Sequence, residues 1–144
     1  MEIEIRCPNT ELEWEEYYDL RFRILREPWK QPRGSERNEG DSIGIHLAYF
    51  DQGKITGIIR LDQSDEFIGQ IRFMAVESKM QGKGIGEKLM REMEKNAFNR
   101  GDKKIILHAR EVALGFYEKL GYKLIKKSHN LFEAIQHYLM EKEL

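Results

Sequence analysis

The clearest chemical signal in the chain is a six-residue loop, Gln81-Gly82-Lys83-Gly84-Ile85-Gly86. Alternating glycines let a backbone take positive φ and approach a ligand closely. An amphipathic helix follows at once. Ile85, Leu89, Met93 and Ala97 recur every four residues, while Glu87, Lys88, Arg91, Glu92 and Lys95 take the opposite face. The first-turn N–H groups of such a helix have no intrahelical partner, and with the macrodipole they form an anion site. The expected occupant is a phosphate or pyrophosphate, with Lys83 adding a point charge. A Walker loop is excluded, because Gly86 is followed by Glu87 and not by Lys-Ser/Thr. A dinucleotide fingerprint is also excluded, because its third glycine position is Glu87. The pattern that fits is Q/R-x-x-G-x-G, carried by Gln81, Gly84 and Gly86.

The elements that must position this loop follow from periodicity. Residues 2–6 alternate as a short strand. Thr10 and Glu13 form a capping box for a helix over about 11–26, with Trp14, Tyr18, Phe22 and Leu25 at helical spacing. Pro28, Pro32, Gly34 and Gly40 mark a long irregular loop. Residues 43–50 and 54–62 read as a hairpin around Asp51-Gln52-Gly53, and about 66–76 as the next strand. After the loop and its helix, which Gly101 ends, come a strand at Lys104–Ala109 and a short helix over 111–120 closed by Gly121. Residues 122–125 and 135–140 form a final strand pair, with His129 and Asn130 in the turn between them. The order is β-α-loop-β-β-β-α-β-α-β-β. That predicts an α/β (α+β) fold with a mixed, mostly antiparallel sheet and flanking helices.

Composition bounds the rest. At 144 residues the chain is expected to form a single domain over 1–144. Lys plus Arg is 24 against 25 Asp plus Glu, which argues against a dedicated nucleic-acid binder. Cys7 is the only cysteine, so neither an intrachain disulfide nor a Cys-rich zinc site is expected. No apolar run approaches the roughly 18 residues of a membrane span, and MEIEIRC lacks the pattern of a secretory signal. The expectation is a cytoplasmic protein without a metal.

The blocks IRFMAVESKMQGKGIGEKLM (71–90) and ALGFYEKLGY (113–122) resemble the GNAT superfamily of acyl-CoA-dependent N-acetyltransferases. The leading strand, helix and hairpin agree in order, so the resemblance spans nearly the whole chain. It implies that the strand before the loop splays from its neighbour and opens a slot for acetyl-CoA or coenzyme A. Backbone groups of Met74, Ala75 and Val76 would pair with the pantetheine arm. Amides of Gln81, Gly82, Lys83, Gly84, Ile85, Gly86 and Glu87 would hold the pyrophosphate, with Phe116 beside the cofactor. An amine would attack the thioester directly through a tetrahedral intermediate, and a strand N–H near Met74–Val76 would stabilise the oxyanion. Tyr117 occupies the family's tyrosine position. A phenol can protonate the leaving thiolate at neutral pH, so Tyr117 is the expected acid.

Other positions keep two readings. His108, at a strand end, is either a base facing the thioester or a hydrogen-bonded structural residue. Arg110, seven residues before Tyr117, contacts the cofactor or orients an acidic acceptor, or else forms a surface ion pair worth little. Glu77 reads as a solvated turn carboxylate. The family's glutamate position falls on Gln70, which cannot act as a base. LFEAIQHYLMEK (131–142) matches an F-x-E…H-x-x-M-x-K ending found in a subgroup of the family, through Phe132, Glu133, His137, Met140 and Lys142. On a strand Glu133 and His137 would lie roughly 13 Å apart. Trp29 is a candidate lid residue, and His46 reads as structural. The overall expectation is an acetyl-CoA-dependent transferase acting on a primary amine, in a small molecule or an exposed amino group. The competing reading is a non-catalytic acyl-CoA sensor. No nucleic-acid or membrane partner is expected. A homodimer through the C-terminal strands, involving Phe132 or Tyr138, is possible within the family.

Overall fold

Alternating burial along the strands and four-residue spacing along the helices give two apolar layers on one sheet. The computed structural model describes residues 2–144. The elements are β1 (Ile3–Arg6), α1 (Glu11–Leu25), β2 (Ile45–Asp51), β3 (Lys54–Asp65), β4 (Ile68–Val76), α2 (Ile85–Asn99), β5 (Lys104–Arg110), α3 (Leu114–Lys119), β6 (Lys123–Leu131) and β7 (Ile135–Glu143). The sheet order is β1-β2-β3-β4-β5-β7-β6. β4 and β5 pair in parallel, and the other neighbours pair antiparallel. A parallel pair needs a crossover, and α2 supplies it. This is the mixed, mostly antiparallel sheet the sequence predicts.

Side-chain alternation sends Ile59 and Leu61 to a core with Leu89, Met93 and Leu120, so α2 and α3 cover one face. Ile58, Ala48 and Phe50 pack with Tyr17 and Leu20 of α1 on the other. The buried side of α1 centres on Tyr17, Leu20, Arg21 and Phe22, which turns Trp14 and Tyr18 to the margin. Half of the expected capping box forms: Thr10 Oγ1 accepts from the Glu13 N–H (3.1 Å). The Glu13 carboxylate accepts instead from the Asn9 N–H (2.9 Å) and from both terminal nitrogens of Arg6. Those hydrogen bonds hold its pKa down at about 2.

The irregular 27–42 segment contains two 3₁₀ turns, Glu27–Trp29 and Glu39–Ser42. Buried charge pins it. Arg21 and Arg60 are both fully buried, and each donates to Asp41 Oδ1 at 2.8 Å. Arg60 also makes a two-point contact with Asp62 at 2.7 Å. His46 Nε2 must donate to the Asp41 carbonyl (2.9 Å), which leaves Nδ1 to accept from the Tyr17 hydroxyl (2.7 Å). His46 is therefore structural, as its position on the hairpin suggested.

Two local features matter for the site. Arg72 pairs with Arg60 and Ala75 with Ile58, so Phe73 and Met74 together oppose Ile59 in a β-bulge. Phe73 sits there at φ 54°. At the far edge, β6 is exposed along most of its length. It runs on to Leu131, so His129 and Asn130 lie on a strand and not in the last turn. The reversal is at Phe132 and Glu133, both with positive φ.

Candidate active site

The β4–β5 ladder runs only from Ile68↔Lys104 to Ile71↔Leu107. Beyond it the strands part. β4 stays paired with β3 as far as Val76, and β5 stays paired with β7 as far as Arg110. The inner edges of Arg72–Val76 and His108–Arg110 thus face a slot with no strand between them. The splay expected beside Met74, Ala75 and Val76 is present.

The glycine loop closes one end of the slot. Gly82 and Gly84 have φ 81° and 84°, and a Cβ at either would meet open space. Positive φ, which glycine alone takes without strain, is what the loop requires there. Gly86 serves a different purpose from the one expected. It lies in the first turn of α2, without positive φ, and a Cβ would stand 3.2 Å from the Phe116 ring. No side chain caps α2, and Lys88 is the residue whose N–H reaches back to the Gly84 carbonyl. Gln81 donates its side-chain amide to the Val76 carbonyl (3.1 Å), tying the loop to β4. Ile85 is buried in the core, so only its backbone can face a ligand. Lys83 is exposed, and Glu87 lies 3.9 Å from Arg91.

A cavity of about 430 Å³ continues from the slot. Its lining includes Trp29, Met74, Arg110, Tyr117, His129 and Leu131. Tyr117 is 8% exposed and packs edge-on to Phe116 and Tyr122 at 4.9 and 5.9 Å between ring centroids. Among the described residues its hydroxyl has no hydrogen-bond partner. Burial pushes the phenol up to about 12, against the pull of Arg110. Arg110 makes no ion pair among the described residues, so the surface-pair reading does not hold. Glu77 is also corrected: it is not a solvated turn carboxylate but is held by Arg23 through two 2.9 Å hydrogen bonds.

His108 lines the cavity, and its Nδ1 is buried without a partner. The hydrogen-bonded structural reading is therefore not realised. The His129 ring lies 5.2 Å from His108 and stacks on His137 at 4.5 Å. His137 Nδ1 donates to the Ile135 carbonyl (3.0 Å), which leaves Nε2 as an acceptor. Glu133 lies apart at the exposed turn, so it and His137 do not share this wall. The three imidazoles are not arranged as metal ligands: among the described residues no group of three or more His, Cys, Asp or Glu could hold an ion. Arg26 and Arg72 also line the cavity. Sequence reasoning missed both: Arg26 belongs to no motif, and Arg72 lies inside the 71–90 block but at a position to which the resemblance gives no role.

Burial is the leading cause that lowers the pKa of His46, His108 and His137. In the unfolded chain these groups titrate near 6.5. Below that pH the unfolded state binds more protons than the folded one. The stability these groups contribute is complete above about 6.5 and is lost as pH falls toward their folded values. The midpoint of thermal unfolding should therefore drop between pH 7.5 and 5.5. A midpoint that held constant or rose over that interval would contradict the burial assigned to these rings.

Residues 30–144 match the model of a family described as an acetyltransferase (GNAT) domain. The chain is 26% identical over 135 residues to the uncharacterized N-acetyltransferase YjcF of Bacillus subtilis (strain 168), covering 94% of this chain and 96% of that protein. An aminoglycoside 6'-N-acetyltransferase solved with coenzyme A superposes with a TM-score of 0.83 at 22% identity, covering 99% of this chain and 97% of that one. The PaiA N-acetyltransferase of Thermoplasma acidophilum, also solved with coenzyme A, gives a TM-score of 0.73 at 20% identity over the full length of both chains. No helix among the described residues is long and apolar enough to cross a membrane. With the splayed strands, the glycine loop and the family match together, this chain belongs to the GNAT acetyltransferase family.

Proposed function

We propose that this protein transfers the acetyl group of acetyl-CoA to a primary amine by direct attack. One observation carries the reading. The interrupted β4–β5 ladder opens onto the uncapped start of α2 at one end and onto a cavity holding an unbonded tyrosine hydroxyl at the other. The residues present fit the cofactor. The open space over Gly82 and Gly84 admits a phosphate group, and the free amides from Gln81 to Glu87 supply donors, with Lys83 nearby. The inner edge of Met74, Ala75 and Val76 offers backbone groups to an extended amide-bearing arm, and Phe116 packs against Gly86 beneath it. The coenzyme A complexes of the aminoglycoside enzyme and of PaiA support this reading.

Bound there, acetyl-CoA supplies a thioester whose sulfur is the leaving group. The chain's own groups do the rest. A β4 N–H near Met74–Val76, freed by the splay, donates to the developing oxyanion. Tyr117 holds a proton throughout the neutral range and gives it to the departing sulfur. A thiolate leaving within the slot would be less solvated than in water and so a better base. Arg110 biases the phenol toward giving it up. His108 accepts the proton of the incoming amine. Burial, His129 and Arg72 lower its pKa, which keeps the imidazole neutral and receptive.

The test is a thermal-shift titration with acetyl-CoA, coenzyme A and ATP, followed by thiol release over an amine panel. Acetyl-CoA at 100 times its dissociation constant should add about 2.7 kcal/mol, and ATP should add none. Stabilisation by ATP alone, or by nothing, would overturn the cofactor assignment.

A further inference from the structure

The acceptor end of the cavity has an unbalanced charge. Four guanidinium groups surround the bulged Phe73 ring: Arg21 at 4.3 Å, Arg60 at 4.8 Å, Arg72 at 5.0 Å and Arg26 at 5.5 Å. Two of them are neutralised within the protein, Arg21 by Asp41 and Arg60 by Asp41 and Asp62. The other two are not, and these two line the cavity. Arg26 donates only to the neutral carbonyls of Ser35 and Leu25. Among the described residues Arg72 has neither an ion pair nor a hydrogen bond. No Asp or Glu lines the cavity. Burial and neighbouring guanidiniums lower both groups from their ordinary values, Arg21 and Arg72 acting on Arg26, and Arg60 and Arg21 on Arg72, against the opposing pull of Glu36 on the first and of Asp62 and Asp41 on the second.

These two groups are not placed for the cofactor's phosphates. Arg72 stands four residues along β4 from Val76, on the order of 12 Å from the strand end where the glycine loop begins. Arg26 follows the last turn of α1, on the opposite face of the sheet from α2. A planar guanidinium pairs best with a carboxylate or phosphate. A cationic pocket would instead repel a diamine or polyamine.

We propose that the acceptor amine also carries an anionic group, a carboxylate or a phosphate, and that Arg26 and Arg72 hold it while the amine points toward His108. This rests on the acetyl-transfer reading above.

The probes are amines of similar reach that differ in charge: 4-aminobutyrate, O-phosphoethanolamine, 4-amino-1-butanol and putrescine. Each is titrated into the protein saturated with coenzyme A for binding, and into the acetyl-CoA complex for turnover. One or both anionic amines should bind at least about tenfold more tightly than the alcohol, with putrescine weakest. Which of the two binds better separates a carboxylate from a phosphate subsite. Arg72→Gln should raise KM for the preferred anionic amine about tenfold or more, with a smaller change in kcat and unchanged acetyl-CoA affinity. Arg72→Glu should shift the preference toward putrescine. If acetyl-CoA binds but the anionic amines show no advantage over the alcohol, or if putrescine is preferred by the unaltered protein, the charge inference alone is overturned. If acetyl-CoA does not bind, the transfer reading falls and this inference falls with it.

Discussion

Tyr117→Phe is expected to lower kcat by about 10²-fold or more, the usual range for removing a positioned acid. The affinity for acetyl-CoA should stay the same. The structure separates these two effects. The hydroxyl that is lost has no hydrogen-bond partner among the described residues, while the ring keeps its edge-on contacts with Phe116 and Tyr122. Folding stability should therefore change by less than about 0.5 kcal/mol, because no internal hydrogen bond is broken. Thiol release at saturating acetyl-CoA measures the first effect, and a cofactor titration by thermal shift measures the second. A variant with wild-type kcat would remove Tyr117 from the mechanism and leave the leaving sulfur to be protonated by water.

Asp41→Ala is expected to be the most destabilising single change on the acceptor side of the sheet, at about 3–5 kcal/mol. One oxygen of this carboxylate receives Arg21 and Arg60 at 2.8 Å each, and the other receives the Asn38 N–H at 3.0 Å. Burial alone would raise its pKa, but the Asn38 and Arg21 hydrogen bonds carry it below the ordinary value. Both arginine side chains are fully shielded from solvent. Removing the carboxylate leaves Arg21 with no counter-charge, only the Glu36 carbonyl and the Tyr17 hydroxyl to receive it, and leaves Asp62 as the one carboxylate bound to Arg60. Asp19, by contrast, pairs with Arg23 and Arg33 while 40% exposed, and its replacement by Asn should cost no more than about 1 kcal/mol. Urea unfolding of the two variants side by side decides the matter. Equal midpoints would mean that Arg21 and Arg60 find water or a new partner when Asp41 is absent.

The sheet and the glycine loop were legible because their signals are local. Apolar runs around the Asp51-Gln52-Gly53 turn located β2 and β3, a further apolar run located β5, and four-residue spacing located α2. The 81–86 pattern located the glycine-rich turn between β4 and α2, although Gly86 proved to make room for Phe116 and not to bend the backbone. What escaped was set by distant neighbours. Arg21 and Arg60 drew no attention in the sequence, yet they are buried because Asp41 and Asp62 come to them from a loop and a strand. Arg26 follows the end of a helix and Arg72 sits on the exposed side of a strand, positions where arginine carries no message on its own. Only the bulge at Phe73 gathers them. The C-terminal pattern did draw attention to His137, but its stacking partner His129 was expected in a turn, since nothing in residues 126–131 announces how far β6 extends.

That length has a consequence for solubility. β6 is an outer strand whose backbone donors and acceptors face solvent along one side, and it exposes Leu124 and Ile125 as well, 48% and 47% accessible. An apolar, unpaired strand of this kind is a template for intermolecular β-pairing and aggregation. Here the two apolar residues are bracketed by Lys123, Lys126 and Lys127. A second β6 approaching about a two-fold axis would bring lysine against lysine, and like charges facing across strands are destabilising. The lysines act as gatekeepers that disfavour pairing of β6 with a second β6.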